Sequence, residues 1–91
     1  MLSSKHYNLY YSQNANKKCR LGISLPKAVI PKAHDRNRLK RLIRHTASEL
    51  KNESIDVVFL LKKNLAQYTI NDDMIVRDHL LRDIKTILLD I

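Results

Sequence analysis

The chain contains few residues of several types, and each shortage excludes a class of protein. It has one glycine among 91 residues, so a glycine-rich phosphate-binding loop cannot be built. Its single cysteine, Cys19, cannot form an intramolecular disulfide, which fits a reducing compartment. No apolar run approaches the roughly 20 residues of a membrane-spanning helix, and residues 1–6 lack the apolar core of a secretory signal. We therefore expect a cytoplasmic protein with no membrane partner.

The chain is also short of acidic residues, and the imbalance is local. It has 17 Lys and Arg against 9 Asp and Glu, a net charge of +8. Residues 17–51 hold eleven basic and two acidic side chains, whereas the remainder holds six basic and seven acidic ones. A charge confined to one third of a chain is typical of a polyanion-binding surface rather than of general solubility. Because 44% of residues are apolar and only two are proline, we expect residues 1–91 to fold as one small domain.

Apolar residues alternate in the two segments that begin the chain. Residues 6–11 place Tyr7, Leu9 and Tyr11 on one face, and residues 20–25 place Leu21, Ile23 and Leu25 on another. This period of two predicts half-buried strands, and the turn-like residues 12–17 between them predict that the strands pair as an antiparallel hairpin. Pro26 ends the second strand.

The spacing then changes to three and four, which predicts a helix over residues 33–51 with one buried stripe and a cationic opposite side. Residues 55–61 form a nearly continuous apolar run, which predicts a central strand covered on both faces. Asn71 or Asp72 can cap a final helix that extends to the end of the chain. The order strand, strand, helix, strand, helix predicts a two-layer α+β domain in which the second and third strands are parallel neighbours.

The most informative segment is Lys32-Ala33-His34-Asp35-Arg36-Asn37-Arg38-Leu39-Lys40-Arg41-Leu42-Ile43-Arg44. Its cations recur every three or four residues, so a row of donors can follow a phosphate backbone without needing a particular base. Arginine grips phosphate through two hydrogen bonds, and the Asn37 amide suits a ribose hydroxyl or a base edge. The segment therefore predicts a nucleic-acid-binding helix.

This Arg-Asn-Arg-x-Lys-Arg-x-x-Arg segment, following the strand Leu21-Gly22-Ile23-Ser24-Leu25 and Lys27, closely resembles the protein subunit of bacterial ribonuclease P. The resemblance runs from about Lys5 to the C-terminus. It implies a ferredoxin-like or ribosomal-protein-like fold with a left-handed crossover at the basic helix, where a right-handed one is the general expectation. It also implies a protein that binds the catalytic RNA, which removes the 5′ leader from precursor tRNA with Mg²⁺.

The resemblance also implies roles for individual residues. The expected contacts to the catalytic RNA are Lys27, Lys32, Arg36, Asn37, Arg38, Lys40, Arg41 and Arg44. The precursor's 5′ leader is expected to bind the sheet at Asn8, Tyr10 and Ser24, which the strand alternation also leaves on the outward faces. Tyr10 suits stacking on a nucleotide, or is simply a partly exposed strand aromatic.

Three departures from the family pattern concern the edges of these surfaces. The family begins with a further basic helix, which this chain is expected to lack because it starts near the first strand. Ala28 stands where the family often has a second lysine, and His45 where it commonly has an acidic residue.

The alternatives are a ribosomal-protein-like RNA-binding module of another kind, and a basic membrane-surface helix. Residues 33–51 lack the bulky aromatic residues that insert into a membrane surface. The four histidines and the scattered carboxylates show no metal-ligand spacing and no catalytic pair. We therefore expect no catalytic and no metal-binding residues in the protein itself, and Mg²⁺ held mainly by the RNA.

Overall fold

A computed structural model describes all residues from Met1 to Ile91. Its strands are β1 (Leu2–Ser3), β2 (Tyr7–Gln13), β3 (Arg20–Ser24) and β4 (Ile55–Leu61). Its helices are α1 (Ala33–Thr46), which continues into a 3₁₀ turn at Ala47–Leu50, and α2 (Ile70–Asp90). The predicted α+β order is confirmed, with the two-residue strand β1 added before it.

The four strands form one sheet in the order β1-β2-β4-β3. The predicted hairpin between β2 and β3 is wrong, because β4 lies between them, antiparallel to β2 and parallel to β3. Every residue of β2 has a partner in β4, from Tyr7 opposite Leu61 to Gln13 opposite Ile55. β4 offers β2 seven partners, whereas β3 has only five residues. The predicted parallel pairing across α1 is confirmed, and the hand of that crossover stays a prediction.

The sheet buries one face only. Alternate residues of β4 are buried, beginning with Ile55, whereas Val58 and Leu60 are 40% and 36% exposed. The prediction that β4 is covered on both faces is therefore wrong. Both helices pack on the buried face, where Phe59 stacks on Tyr7 with ring centroids 4.6 Å apart. A run of β-branched and aromatic residues concealed the alternation, because its outward residues are apolar too.

Helix α1 supplies the stripe that its sequence predicts. Leu39, Ile43, Ala47 and Leu50 are all buried in the core. No side chain caps the first turn, where Lys32 occupies the N-cap position. The helix tightens after Thr46, whose hydroxyl donates to the carbonyl of Leu42 at 2.7 Å, as side chains in a final turn often do.

Helix α2 begins at Ile70, so the expected cap at Asn71 or Asp72 is wrong. Thr69 is the N-cap, and Asp72 in the first turn accepts the Thr69 N–H at 2.8 Å. This hydrogen bond, followed by the contact with His6, lowers the pKa of Asp72. Two tyrosines of β2 donate to carboxylates further along α2, Tyr7 to Asp83 at 2.6 Å and Tyr11 to Asp90 at 2.8 Å. Asp83 and Asp90 thus fasten the helix to the sheet.

Candidate nucleic-acid interface

The outer side of α1 carries a group of polar side chains that we call the cationic ridge. They line one shallow depression of about 470 Å³ with no apolar and no acidic side chain in it. Its members are His34, Asn37, Lys40, Arg41 and Arg44. They lie together because helical positions three and four apart share a face.

No side chain of the cationic ridge forms a hydrogen bond or an ion pair within the protein. The structure's six ion pairs involve other residues. The one carboxylate on α1, that of Asp35, is bonded to Arg38. The ridge therefore presents positive charge and free donors to solvent with nothing in the protein to neutralise them.

Arg36 lies at the start of α1 and is partly committed to the fold. One terminal nitrogen of its guanidinium donates to the carbonyls of Ile30 and Pro31 at 2.9 and 2.7 Å. These bonds tie the loop before α1 to the helix. The Arg36 side chain is half-buried, and the rest of its guanidinium lies at the surface. Arg36 therefore borders the cationic ridge in a fixed position.

Lys27 and Lys32 lie in the loop that leads from β3 to α1, and both are exposed without ion pairs. The loop itself is anchored, because Val29 and Ile30 are buried in the core and their N–H groups both donate to the Pro26 carbonyl. The anchoring places the two lysines on a fixed turn beside the N-terminus of α1.

Arg38 has a different environment from the other basic residues of the segment. Its guanidinium donates to Asp35 at 2.6 Å and to Asp73 of α2 at 2.9 Å. Its pKa is raised, chiefly by the hydrogen bond to Asp73. The structure thus turns Arg38 toward α2 and does not bring it to the cationic ridge.

The second predicted surface is the side of the sheet opposite the helices, which we call the open face. Asn8 and Ser24 flank Leu60 from its two neighbouring strands, and Tyr10 lies opposite Val58. Tyr10 is 43% exposed, and Asn8 is half-buried, with its Oδ1 accepting a hydrogen bond from the Ser3 hydroxyl at 2.9 Å. The three predicted residues are therefore brought together on one face.

Some residues of these surfaces were not predicted from the sequence. Val58 and Leu60 form the exposed apolar centre of the open face, and a continuous apolar run gave no indication of it. Gly22 lies beside Val58, and a Cβ there would make only an ordinary contact at 3.9 Å, so a side chain would fit at that point of the face. His34 joins the cationic ridge, and its place three residues before Asn37 could have indicated this.

At the end of the open face where β3 and β4 begin, the exposed residues form an ion pair. Arg20 donates two hydrogen bonds to Asp56, each 2.7 Å long. Together with a bond from Asn14 at 2.8 Å, they lower the pKa of Asp56 to about 2. The pair lies between exposed strand ends and neutralises both charges, so Arg20 adds nothing to the net positive charge of the protein's surface.

The structure contains neither a metal-binding cluster nor an activated thiol. No three His, Cys, Asp or Glu side chains lie close enough together to hold a metal ion. Burial raises the pKa of the half-buried Cys19 thiol, which makes it a weaker nucleophile. Neither helix combines the length and the hydropathy needed to cross a lipid bilayer.

Sequence comparison relates the chain to known proteins. Residues 1–85 match the family model of ribonuclease P. The ribonuclease P protein component of Legionella pneumophila (strain Lens) is 34% identical over 68 residues, which are 75% of this chain and 60% of that protein. That of Buchnera aphidicola from Acyrthosiphon pisum is 46% identical over 48 residues, which are 50% of this chain and 42% of that protein. The chain thus matches about half the length of these curated relatives.

Structural comparison agrees with the sequences. The ribonuclease P protein from Thermotoga maritima, solved in complex with 1-(4-fluorophenyl)-2-thiourea, superposes with a TM-score of 0.68 at 27% identity. The match covers 92% of this chain and 81% of that one, which confirms the ferredoxin-like α+β fold. The chain therefore belongs to the ribonuclease P protein family.

Proposed function

We propose that this protein is the RNA-binding subunit of ribonuclease P and assists a catalytic RNA subunit in removing the 5′ leader from precursor tRNA. The observation that supports the proposal best is the cationic ridge, whose side chains have no partner within the protein. Membership in the ribonuclease P protein family supports the RNA subunit of ribonuclease P as the polyanion that binds there. Composition and geometry alone are compatible with other polyanions.

The ridge is suited to a phosphate backbone. Arg41 and Arg44 are exposed, and Lys40, half-buried, is next to them on the same helix. A guanidinium can donate two parallel hydrogen bonds to one phosphate, and a lysine supplies a compact charge. Asn37 adds an amide that can both donate and accept, which suits a ribose hydroxyl. Lys27, Lys32 and Arg36 extend the same surface past the N-terminus of α1.

The open face is suited to a single-stranded leader. Tyr10 and the apolar pair Val58 and Leu60 offer a flat surface to bases, while Asn8 and Ser24 offer polar atoms at one end. Stacking of a base on an aromatic ring contributes about 1 to 3 kcal/mol and tolerates many sequences. A leader of variable sequence would require this kind of contact.

The protein contributes binding and no chemistry of its own in this proposal. Its carboxylates and histidines form no cluster that could hold a metal ion, and the two buried carboxylates of α2 fasten the helix to the sheet and to α1. We therefore assign hydrolysis, and most of the Mg²⁺ on which it depends, to the RNA subunit. The cationic ridge would reduce repulsion between RNA segments, an effect that Mg²⁺ also provides.

Reconstitution with the cognate RNA tests the proposal directly. Cleavage of a leader-bearing precursor tRNA would be measured with and without the protein over a series of Mg²⁺ concentrations. We expect the largest acceleration at low Mg²⁺, where screening of the phosphates by the metal is weakest. Equal rates with and without the protein at every concentration would contradict the proposal.

Charge substitutions test the ridge. Each of Lys40→Gln and Arg41→Gln is expected to weaken binding of the RNA subunit and to reduce the salt dependence of log K by about one unit. Lys85→Gln is the matched control, because Lys85 is an exposed helical lysine on α2, away from the cationic ridge. If Lys85→Gln reduced the salt dependence as much as Lys40→Gln, the interface would not be the ridge.

A separate substitution tests the open face. Tyr10→Ala is expected to weaken binding of a leader-bearing precursor about fivefold or more, from the stacking energy, and to leave binding of mature tRNA unchanged. Tyr10→Phe keeps the aromatic ring and should retain most of the affinity. Equal losses for the two tRNAs would place the leader elsewhere.

A further inference from the structure

Arg38 is the one basic side chain of the Arg-Asn-Arg segment that is bonded to carboxylates. Nε donates to Asp73 at 2.9 Å, and a terminal nitrogen donates to Asp35 at 2.6 Å. The Arg38 side chain is 26% exposed, and that of Asp73 only 11%. The guanidinium fork is therefore already occupied on two of its sides.

Asp73 lies in the first turn of α2 and is held by a second donor. The hydroxyl of Tyr68 donates to its other oxygen at 2.7 Å. Burial, followed by this hydrogen bond, raises the pKa of Tyr68 well above its usual value, so the hydroxyl keeps its proton. We call Asp35, Arg38, Tyr68 and Asp73 the acidic brace.

The charge of the acidic brace argues against a phosphate contact. Two carboxylates surround one guanidinium, so the group carries a net charge of about −1. A phosphate that approached Arg38 would meet the electrostatic repulsion of Asp35 and Asp73, and it could reach only the donors that those two carboxylates leave free. The ridge residues Arg41 and Arg44 present no such obstacle.

The position of the acidic brace indicates what it does instead. The first turn of α1 has no side-chain cap, and Arg36 bonds it only to the loop that precedes it, so contact with α2 begins further along the helix. Arg38 lies in the second turn and reaches α2, the helix against which α1 packs. The ridge residues Asn37 and Arg41 flank Arg38 in sequence, so a tilt of this end of α1 would move both.

We propose that Arg38 is a positioning residue, which holds the cationic ridge in register through Asp73 and Tyr68 and makes no contact with RNA. This inference rests on the proposed function and revises one residue of the expected RNA-binding set. It makes an acidic residue of α2 necessary for tight binding of a polyanion. Charge alone predicts the opposite, since loss of an acidic residue should strengthen binding.

Asp73→Asn is the deciding substitution, and Asp78→Asn is its matched control. Both remove one negative charge from α2, but Asp78 is exposed and contacts only Arg77, at 3.2 Å. RNA affinity would be measured at a temperature at which thermal unfolding shows every variant to be fully folded. We expect Asp73→Asn to weaken binding about tenfold, from the loss of a buried charged hydrogen bond, and Asp78→Asn to leave it unchanged or slightly stronger. Equal behaviour of the two variants would overturn the proposal.

Arg38 variants provide a second measurement. Arg38→Gln should weaken binding without changing its salt dependence, whereas Arg41→Gln should reduce the salt dependence by about one unit. Arg38→Lys keeps the charge but cannot bond both carboxylates in the same way, so it should bind nearly as weakly as Arg38→Gln. A reduced salt dependence in Arg38→Gln, or full affinity in Arg38→Lys, would show that Arg38 meets a phosphate directly.

Amide hydrogen exchange in the free protein separates this inference from the proposed function. Loss of the acidic brace should speed exchange at the α1 amides of Leu39 and Lys40 in both Asp73→Asn and Arg38→Gln, and the double variant should exchange no faster than either one. If neither the wild type nor any variant binds the RNA subunit, the proposed function fails while exchange still reports the brace. Unchanged exchange in both single variants would overturn the positioning role.

Discussion

Substitution of Tyr7 by phenylalanine tests the attachment of α2 to the sheet. Tyr7 is fully buried, and its hydroxyl donates to Oδ2 of Asp83, which is 6% exposed, at 2.6 Å. Phenylalanine keeps the ring stacked on Phe59, with centroids 4.6 Å apart in the wild type. The substitution therefore removes one hydroxyl and leaves a carboxylate in the core without its donor.

The structure allows the magnitude to be estimated. Hydrogen bonds to charged groups contribute roughly 1.5 to 3 kcal/mol to the free energy of unfolding. Most of that contribution is lost when the donor is removed and the buried acceptor stays without a partner. The cation beside Asp83 is the Arg82 guanidinium, whose Nε lies 3.8 Å from the second carboxylate oxygen, which is too long for a replacement hydrogen bond. We expect Tyr7→Phe to lower the free energy of unfolding by about 2 kcal/mol and Tm by roughly 10 °C.

Urea denaturation followed by circular dichroism at pH 7 would measure the change. Tyr11→Phe is the matched control, since Tyr11 makes the same kind of bond to Asp90, at 2.8 Å, on the exposed end of the same strand. The control should lose under about 0.5 kcal/mol, as surface substitutions usually do. A Tyr7→Phe protein within about 0.5 kcal/mol of the wild type would refute the reasoning.

The same residue predicts a dependence on alkaline pH. Burial, followed by the bond to Asp83, raises the pKa of Tyr7 above its usual 10.0. The folded state therefore keeps a proton that the unfolded state releases, and this stabilisation is full below pH 10 and lost as pH rises further. The free energy of unfolding should fall less steeply above pH 10 in Tyr7→Phe than in the wild type. Identical slopes would contradict the buried bond.

Three further predictions concern other parts of the fold. The pKa of Asp56 is lowered from 3.8 to about 2, so its contribution to stability is present above pH 3.8 and lost toward pH 2, and acid titrations of Asp56→Asn should lack that component. Ile43→Ala removes a core side chain that is 1% exposed and should cost about 2 to 5 kcal/mol by urea denaturation, whereas Leu42→Ala, at a half-buried position, should cost less. Cys19, whose pKa is raised by burial, should react with iodoacetamide more slowly in the native protein than in urea, and equal rates would contradict that burial.

The sequence predicted where the strands and helices lie better than it predicted which strands pair. Periods of two and of three to four record which side chains face the core, so β2, β3 and α1 were confirmed close to their expected bounds. Pairing is a different property, because it depends on which strands meet in space. The hairpin was wrong since the seven residues of β4 offered β2 a longer partner. The capping of α2 by Thr69 was missed because two later residues had equally suitable side chains.

In the candidate site too, features set by a single helix were predictable, and contacts between distant residues were not. The cationic ridge was predictable, because its members lie on one helix and helical geometry fixes their common face. The bond from Arg38 to Asp73 was not predictable, because Asp73 is 35 positions away; only the bond to Asp35, three residues earlier on the same helix, has a local signal. The exposure of Val58 and Leu60 was also hidden, since an apolar residue on an open face looks like core in the sequence.

The central place of β4 has a consequence for how the chain folds as it is synthesised. β3 pairs with β4 alone, and β2 pairs otherwise only with the two-residue β1. A nascent chain that has not yet released residues 55–61 from the ribosome therefore has almost no sheet, and α1 has no strand surface on which to pack. Pairings this distant in sequence form slowly. The basic helix would leave the ribosome early, with RNA nearby, and would acquire its fixed orientation only once the second half of the chain had followed.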